Sequence, residues 1–412
     1  MNNKSEILKI WNKYPVFRDL QLSTIITSFT GWSSFIAMLL LLGEITDTGI
    51  QFGLLWAISG LAPLCVSLFM GVWIDRLDVR TSIVSSELLK GIFYFGFLLF
   101  PFIENSFFNW SLFIALRFIT GILTSFTNSN KQVAIPHIIN EDDLVTANSL
   151  NYTINSFVRL SGAAFGGIIV TFAGPSVAYS LTAFSFFVSA WLIHKHKWNT
   201  IRNIQKNNFF NEFQAGTKFI FSNINVTLVI LASLTMGMII GTYNLMLERF
   251  NTNIYGLPDY GISILYVAEG AISVYLGYKI AEKKVMFENK SIYGLFYIGI
   301  GLSWLIFGLT LNIYQGVIAL IFFAFFCSFV VPFERTTMQK EVPATLRGRV
   351  FNLWSVVNMF AIQIGALITG IIIDVFGTTW VPMITGIIMA LFGILFFFSF
   401  NSKKYRKEQV NT

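Results

Sequence analysis

A few ionisable side chains interrupt long apolar runs in this 412-residue chain. An ionisable group inside a bilayer costs about 2.5–3.5 kcal/mol on insertion scales, so it is a functional candidate by default. Ion pairing, proton exchange and recognition of a charged solute are the chemistries that such groups perform there. By position in the apolar runs, the candidates for substrate binding or proton coupling are Arg117, Arg159, Glu269, Glu87 and Lys90.

Glu87 and Lys90 are three residues apart in one apolar run. Residues at this spacing are neighbours on one face of a helix. A mutually satisfied structural ion pair is therefore the favoured interpretation, and a functional pair is the alternative.

Arg117, Arg159 and Glu269 lie near the middle of predicted membrane spans. One hypothesis is that Glu269 exchanges a proton between the two sides of the membrane; a structural hydrogen-bonding role is equally open. The other hypothesis is that the two arginines bind an anionic group of the substrate. Two basic centres against one acid favour an acidic or zwitterionic cargo, such as a carboxylate-bearing metal chelator.

The composition indicates what kind of protein carries these groups. Hydrophobic residues make up 55% of the chain and charged residues only 12%, against roughly 25% charged in soluble proteins. This excludes a disordered chain, a secreted disulfide scaffold and, despite the net charge of +7, a nucleic-acid-binding domain. Cys65 and Cys327 both fall in apolar runs, so we predict no disulfide, no metal site and no cofactor.

Hydropathy predicts an all-α polytopic membrane protein with twelve transmembrane helices in two six-helix bundles. A span takes about 20 residues. The predicted spans cover residues 21–43, 50–74, 82–102, 108–128, 146–172, 175–194, 224–247, 257–280, 291–311, 314–333, 349–374 and 377–400. The predicted domains are an N-terminal bundle (1–194), a cytoplasmic linker with an amphipathic helix (195–223), a C-terminal bundle (224–400) and a cytoplasmic tail (401–412). In the linker, the predicted apolar face consists of Phe210, Phe213, Ala215 and Phe219.

Basic residues predict the orientation. Of the 28 Lys and Arg residues, Lys90, Arg117 and Arg159 lie well inside predicted spans and Arg249 alone lies outside. The others lie on one side, which the positive-inside rule assigns to the cytoplasm. We therefore expect both termini to be cytoplasmic.

The two halves resemble each other in sequence. GVWIDRLDVR begins at Gly71 and GYKIAEKK at Gly277, about half the chain length apart; GAAFGGII begins at Gly162 and GALITGII at Gly365, at nearly the same separation. Two matches in register predict a duplication of a six-span unit with the same topology.

The loop after the second span has the pattern G-x-x-x-D-R-x-x-x-R, formed by Gly71, Asp75, Arg76 and Arg80. Glycine permits close helix contact, and an aspartate can meet the positive N-terminal end of a neighbouring helix. An ordinary positive-inside loop would explain the arginines alone, but not the glycine followed by Asp-Arg.

This loop resembles the signature of the major facilitator superfamily. Arg117 and Gly121 in RFITG resemble the family's fourth span, and SGAAFGG, with Gly162, Gly166 and Gly167, is similar to the Gly-Pro-x-x-Gly-Gly element of its antiporters, with Ala163 in place of the proline. FRDL (Phe17–Leu20), TANSL (Thr146–Leu150) and VPATLRGRVF (Val342–Phe351) resemble bacterial exporters of the macrolide-efflux and enterobactin-exporter type.

The resemblance implies a mechanism in which two bundles open a central site alternately to the two sides. It places Asp75 against the cytoplasmic start of span eleven, where Arg347 and Arg349 lie. These residues, with Gly71, Arg76 and Arg80, are the candidate gate, and Gly121, Gly162, Gly166 and Gly167 are candidate packing positions.

The sequence is thus interpreted as a non-enzymatic secondary transporter in a bacterial cytoplasmic membrane. We expect export of a small organic molecule by proton antiport, with a siderophore or other anionic or zwitterionic chelator favoured and multidrug or macrolide efflux as the alternative. An intramembrane enzyme and a permease subunit are more distant alternatives. The expected partners are the substrate, protons and the lipid bilayer, and the expected oligomeric state is a monomer.

Overall fold

The computed structural model describes residues 10–62, 78–140, 143–197, 209–283, 290–343 and 346–401, and within these ranges the only regular secondary structure is helical. The first half contains α1 (Pro15–Glu44), α2 (Gly49–Ser59), α3 (Val79–Phe95), α4 (Ser106–Ile138), α5 (Leu144–Ala173) and α6 (Pro175–His194). Next come α7 (Phe209–Ser222), α8 (Ile224–Arg249), α9 (Tyr260–Lys283), α10 (Ser291–Gly308), α11 (Ile313–Glu341), α12 (Arg347–Phe376) and α13 (Trp380–Asn401). A 3₁₀ turn (Gly96–Phe102) extends α3, and a π-helical turn (Phe250–Tyr255) extends α8.

The described helices have the length and composition of membrane spans. Ten of them could cross a membrane, and two shorter apolar helical segments, Gly49–Ser59 and Ser161–Ala173, accompany these ten. The predicted all-α membrane fold is confirmed. Two helices continue beyond the spans predicted from hydropathy: α4 runs past residue 128 to Ile138, and α11 past residue 333 to Glu341. Hydropathy falls where polar residues begin, whereas a helix continues wherever its polar side chains find partners.

Local sequence signals account for where several helices begin and end. The carboxylate of Asp78 accepts a hydrogen bond from the backbone N–H of Thr81 at the start of α3, as N-cap residues do. Asn105 and Asn312 cap α4 and α11 in the same way. At the other end, Gly174 and Gly377 stop α5 and α12 with φ of 85° and 96°, a conformation that favours glycine.

Packing divides the chain into two compact units. The first consists of Met1–Asp47, Ile58–Gln205 and Pro258–Ser263, and the second of Thr48–Ala57, Lys206–Leu257 and Ile264–Thr412. In the first unit, α1 packs against α5 and α6, and α3 packs against α4 and α6. In the second unit, α10 packs against α11 and α13, and α8 packs against α12.

Helix α7 occupies the predicted linker. Phe219 and Ile220 near its end pack in an apolar cluster with Val226 of α8 and Val350 of α12. The C-terminal end of α7 therefore packs against side chains of α8 and α12. The predicted face residues Phe210, Phe213 and Ala215 have side chains outside the described part of the structure.

Candidate functional site: a charged cavity and a buried carboxyl

A cavity of about 410 Å³ lies in the first unit between α1, α3, α4 and α6. Its wall combines hydroxyl and amide groups, aromatic rings and three charged groups. The lining residues are Thr24, Thr27, Ser28, Gly31, Trp32, Phe35, Glu87, Lys90, Tyr94, Thr124, Asn128, Lys131 and Phe186. A small organic molecule fits a mostly apolar cavity of this size with a few placed polar groups.

Glu87 lies at the centre of the charged cluster, and its side chain is fully buried. Its two carboxylate oxygens meet different ammonium groups, with Lys90 Nζ 2.9 Å from Oε2 and Lys131 Nζ 3.1 Å from Oε1. Lys131 also donates a hydrogen bond of 2.9 Å to Ser23 Oγ of α1. Lys90 Nζ lies 4.3 Å from the ring centroid of Phe186. One carboxylate against two ammonium groups leaves the cluster with a net charge of +1.

The spacing of Glu87 and Lys90 correctly predicted an ion pair, whereas Lys131 was counted only among the basic residues of the cytoplasmic side. In the structure, 12% of the Lys131 side chain is exposed and it binds Glu87, so it belongs to the charged cluster. A signal was present in the sequence, because Thr124, Asn128 and Lys131 recur at helical spacing and all line the cavity. In the structure, the first unit therefore contains a buried acid, Glu87, with a second basic partner, Lys131.

The predicted arginines occupy different positions. Arg117 of α4 is half-buried and interacts electrostatically with Tyr94 and Tyr179. Tyr94 belongs to the cavity wall, whereas Arg117 is not among the residues that line the cavity. Arg159 lies on α5, and its side chain is outside the described part of the structure.

In the second unit, the structure draws attention to Glu334 besides the predicted Glu269. Glu269 of α9 is half-buried and accepts a hydrogen bond of 2.9 Å from Ser273 Oγ, one turn along the same helix. Glu334 of α11 is buried, with 6% exposed, and accepts a hydrogen bond of 2.6 Å from the hydroxyl of Tyr297 on α10. The sequence analysis missed Glu334 because its predicted span ended one residue earlier.

Glu334 belongs to a network that joins four helices. Ser233 Oγ of α8 lies 3.5 Å from Glu334 Oε2. The indole of Trp354 on α12 donates to the same Ser233 oxygen, and Asn358 Nδ2 donates to the Ser233 carbonyl at 3.2 Å. These hydrogen bonds connect Glu334 of α11 with α8, α10 and α12.

The candidate gate is only partly described. Gly71, Asp75 and Arg76 lie outside the described residues, as does the side chain of Arg347. The guanidinium of Arg80 donates to the carbonyl of His194 at the end of α6, a position that favours a cation. Arg349 is half-buried at the start of α12, beside α7.

A second aspartate forms a helix contact that the sequence analysis did not predict. Near the end of α12, Asp374 accepts hydrogen bonds from the backbone N–H groups of Gly49 (2.6 Å) and Ile50 (2.9 Å) at the start of α2. Gly53 packs directly on the backbone of Ala366 and Gly370 below this contact. A carboxylate against the first amides of a helix is favourable through both hydrogen bonding and the helix dipole.

The candidate packing glycines lie at close contacts. Gly162 and Gly166 of α5 face Trp32 of α1, and Gly167 donates its N–H to Ser263 Oγ at 2.9 Å. Gly121 lies half-buried on α4. The small residues of α5 thus let neighbouring helices approach, as they do in membrane bundles.

The sequence matches a known family over most of its length. A model of the Major Facilitator Superfamily matches residues 22–362 and 286–412. The chain belongs to the major facilitator superfamily. It is therefore a membrane transporter and not an enzyme, as the sequence predicts.

Similar proteins within the superfamily include two from Bacillus. The chain is 24% identical over 328 residues to "Putative bacilysin exporter BacE" of Bacillus subtilis (strain 168), covering 77% of this chain and 80% of that protein. The protein of the same name from Bacillus amyloliquefaciens matches with the same identity and coverage.

Solved structures of major facilitator transporters share the fold. A bacterial homologue of the iron transporter ferroportin, in an inward-facing state, superposes with a TM-score of 0.73 at 13% identity, covering 93% of this chain and 98% of that one. The nucleoside transporter NupG superposes with a TM-score of 0.71 at 13% identity, covering 94% of this chain and 100% of that one. At this identity the likeness concerns the fold alone.

Proposed function

We propose that this protein exports a small organic molecule by proton antiport and alternating access, and that the cavity of the first unit holds part of the cargo. The observation that carries the proposal is the charged cluster of Glu87, Lys90 and Lys131 in a cavity of about 410 Å³. A purely structural ion pair needs no third charge and no open volume beside it.

The direction of transport rests on the relatives. The similarity to proteins named as bacilysin exporters extends over 77% of this chain, and it favours export over import. The orientation with both termini in the cytoplasm, in a bacterial cytoplasmic membrane, remains part of the proposal, as does a monomeric protein.

The cargo class follows from the charge of the cluster. A net positive charge that is removed from water costs free energy unless an anion compensates it. A carboxylate of the cargo, bound beside Lys131, would provide this compensation. This supports an anionic or zwitterionic cargo, such as a siderophore or other metal chelator. Multidrug or macrolide efflux is the second candidate, favoured by the aromatic walls that Trp32, Phe35 and Phe186 contribute.

The test uses inside-out membrane vesicles from a host that lacks its own exporters. Uptake of a carboxylate-bearing siderophore, bacilysin and a macrolide is measured under an imposed pH gradient. We expect uptake of the siderophore that an uncoupler abolishes while ATP is maintained. Uptake unaffected by the uncoupler would contradict proton antiport.

Two variants test the cargo class. Lys131→Gln removes a charge-assisted contact, of the kind that contributes about 1.5–3 kcal/mol, and should weaken siderophore uptake about tenfold or more. The control Lys218→Gln changes an exposed lysine of α7 and should leave uptake unchanged. Uptake of the macrolide alone, unaffected by Lys131→Gln, would overturn the anionic cargo in favour of macrolide efflux.

A further inference from the structure

The buried carboxyl group of Glu334 differs from that of Glu87 in its ion pairing. Among the described residues, no Lys, Arg or His nitrogen forms an ion pair with it, whereas Glu87 of the first unit has two. Its hydrogen-bond partners are the hydroxyls of Tyr297 and Ser233. All three groups lie in helices of the second unit, so the arrangement belongs to one compact body.

Among the described residues, the cation that acts on Glu334 is Arg335. On α11, Arg335 is the next residue and is exposed, and the thiol of Cys327 lies about two turns earlier. Cys327 interacts electrostatically with both Glu334 and Glu269 of α9. From α8 and α12 the contacting groups are Ser233 and Trp354, which do not titrate. The titratable or charged groups around Glu334 are Tyr297 and Tyr293 of α10, Cys327 and Arg335 of α11, and Glu269 of α9.

A carboxylate in such a position is expensive unless it takes up a proton. Charge within a membrane-spanning helix costs several kcal/mol when no partner compensates it, but a neutral carboxylic acid with hydrogen-bonding partners escapes most of that cost. A glutamine would serve equally well as a purely structural hydrogen-bonding side chain. The residue at this position is instead an acid, and its protonated and ionised forms make different hydrogen bonds.

The two states use the network differently. The ionised carboxylate can only accept, so the hydroxyls of Tyr297 and Ser233 both point towards it. The neutral acid carries a proton that it can donate, so at least one of these hydroxyls can turn away. Because Ser233 also accepts from Trp354, this exchange alters contacts between α8, α10, α11 and α12.

We propose that Glu334 is the proton-binding group of the transport cycle, with Tyr297 and Ser233 as its positioning residues. This inference rests on the proposed proton antiport and deepens it. In one half-cycle the O–H bond of the carboxyl breaks, the proton passes to water on the open side, and the hydroxyls stabilise the carboxylate. In the other half-cycle a proton from the opposite side re-forms the bond.

Glu269, the acid favoured by the sequence, has a different place in this arrangement. It is half-buried and accepts its hydrogen bond from its own helix. Glu269 is thus more exposed than Glu334, of which only 6% is exposed. We assign Glu269 to proton access and Glu334 to proton binding.

The experiment needs no cargo. Infrared difference spectra of the purified protein in lipid nanodiscs, recorded between pH 5 and pH 9, report the C=O stretch of protonated carboxylic acids. We expect a band that titrates in the unmodified protein, is lost in Glu334→Gln and persists in Glu269→Gln. Loss in Glu269→Gln with retention in Glu334→Gln, or absence of any titrating band, would overturn the inference.

A second variant keeps the test decisive if Glu334→Gln fails to fold. Tyr297→Phe leaves the carboxyl in place but removes its 2.6 Å hydrogen-bond donor, so the frequency of the titrating band should shift. The matched control Tyr255→Phe removes a hydroxyl of the same unit that contacts Thr310, and it should leave the band unchanged. An unshifted band in Tyr297→Phe would contradict the assignment.

The outcome is separable from that of the proposed function. A titrating Glu334 band in a protein that moves none of the tested cargoes would leave the inference standing and count against the proposed cargo. Conversely, if uncoupler-sensitive siderophore uptake and its accompanying proton flux persisted in Glu334→Gln, the proposed function would stand and Glu334 would not be the proton-binding group.

Discussion

Lys131 of α4 lies 3.1 Å from the carboxylate of Glu87 on α3, although its own helix supplies no acid for it. The contact turns a pair within one helix into a cluster that bridges two helices. Because Lys131 also donates to Ser23, α1 belongs to the same polar contact. The charge excess of this cluster distinguishes the first unit from the second, where the buried Glu334 has no ion-pair partner among the described residues.

Removing the negative charge of this cluster should destabilise the protein more than removing one of its positive charges. Glu87→Gln leaves two buried ammonium groups without their shared carboxylate, and breaking a buried pair in this way costs about 3–5 kcal/mol. Lys131→Gln leaves the balanced pair of Glu87 and Lys90 and should cost less. Thermal unfolding of both variants in the same detergent checks the order, and an equal or greater loss in Lys131→Gln would contradict the charge assignment.

Close backbone contact at Gly53 predicts a steric effect. A Cβ atom there would collide with the carbonyl of Ala366, and overpacking of this kind typically costs 1–3 kcal/mol. Gly53→Ala should therefore lower the melting temperature. Gly277→Ala is the matched control, because Gly277 is a helical glycine with open space around it, and there alanine should be neutral or stabilising by about 0.5–1 kcal/mol. Similar effects of the two substitutions would contradict the close contact.

The contact of Asp374 with α2 predicts local protection. Asp374→Ala removes the acceptor for the N–H groups of Gly49 and Ile50, and loss of a helix cap costs about 0.5–2 kcal/mol. Hydrogen exchange of those two amides should accelerate while that of α10 stays unchanged. Glu104→Ala, an exposed acid outside the helices, serves as the control. Unaltered exchange at Gly49 and Ile50 would show that the carboxylate does not protect them.

The segment before α1 has a pH-dependent attachment. Lys13 Nζ and the Tyr14 hydroxyl lie 2.7 Å and 2.8 Å from Asp143. Hydrogen bonds from Lys13 and Tyr14 lower the pKa of Asp143 below 3.8, and the hydrogen bond with Asp143 raises the pKa of Lys13 above 10.5. A lowered carboxyl pKa stabilises the folded state above the unfolded pKa, and this contribution is lost as the pH falls through the folded pKa. The raised lysine pKa loses its contribution only as the pH rises through that pKa.

The attachment is therefore complete at neutral pH and weakens below about pH 4. The fluorescence of half-buried Trp11 reports this attachment. The Trp11 emission spectrum is obtained by subtracting the spectrum of a Trp11→Phe variant from that of the unmodified protein. We expect a red shift between pH 5 and pH 3 that is already present at pH 7 in Asp143→Asn. An identical pH response in Asp143→Asn would assign the shift to another group.

Which contacts could be predicted from the sequence depends on how far apart in the chain the interacting residues lie. The ion pair of Glu87 and Lys90 is local, because three residues of helix bring the side chains together whatever surrounds them. The helix-terminating roles of Gly174 and Gly377 are local in the same sense. Hydropathy did not predict how far α4 and α11 continue beyond their spans, because polar residues inside the protein have the same hydropathy as polar residues in a loop.

Hydropathy in the sequence determined that this is an all-α membrane protein, and motif and repeat pointed to its superfamily. Only the tertiary structure decided which polar groups meet: Lys131 with Glu87, Tyr297 with Glu334, and Asp374 with the start of α2. The physical reason is that lipid and the protein interior are both apolar, so hydropathy does not distinguish the exposed Leu395 from the fully buried Phe396. Helix rotation is set by packing of small residues and by polar contacts between helices, and those depend on partners far away in the chain.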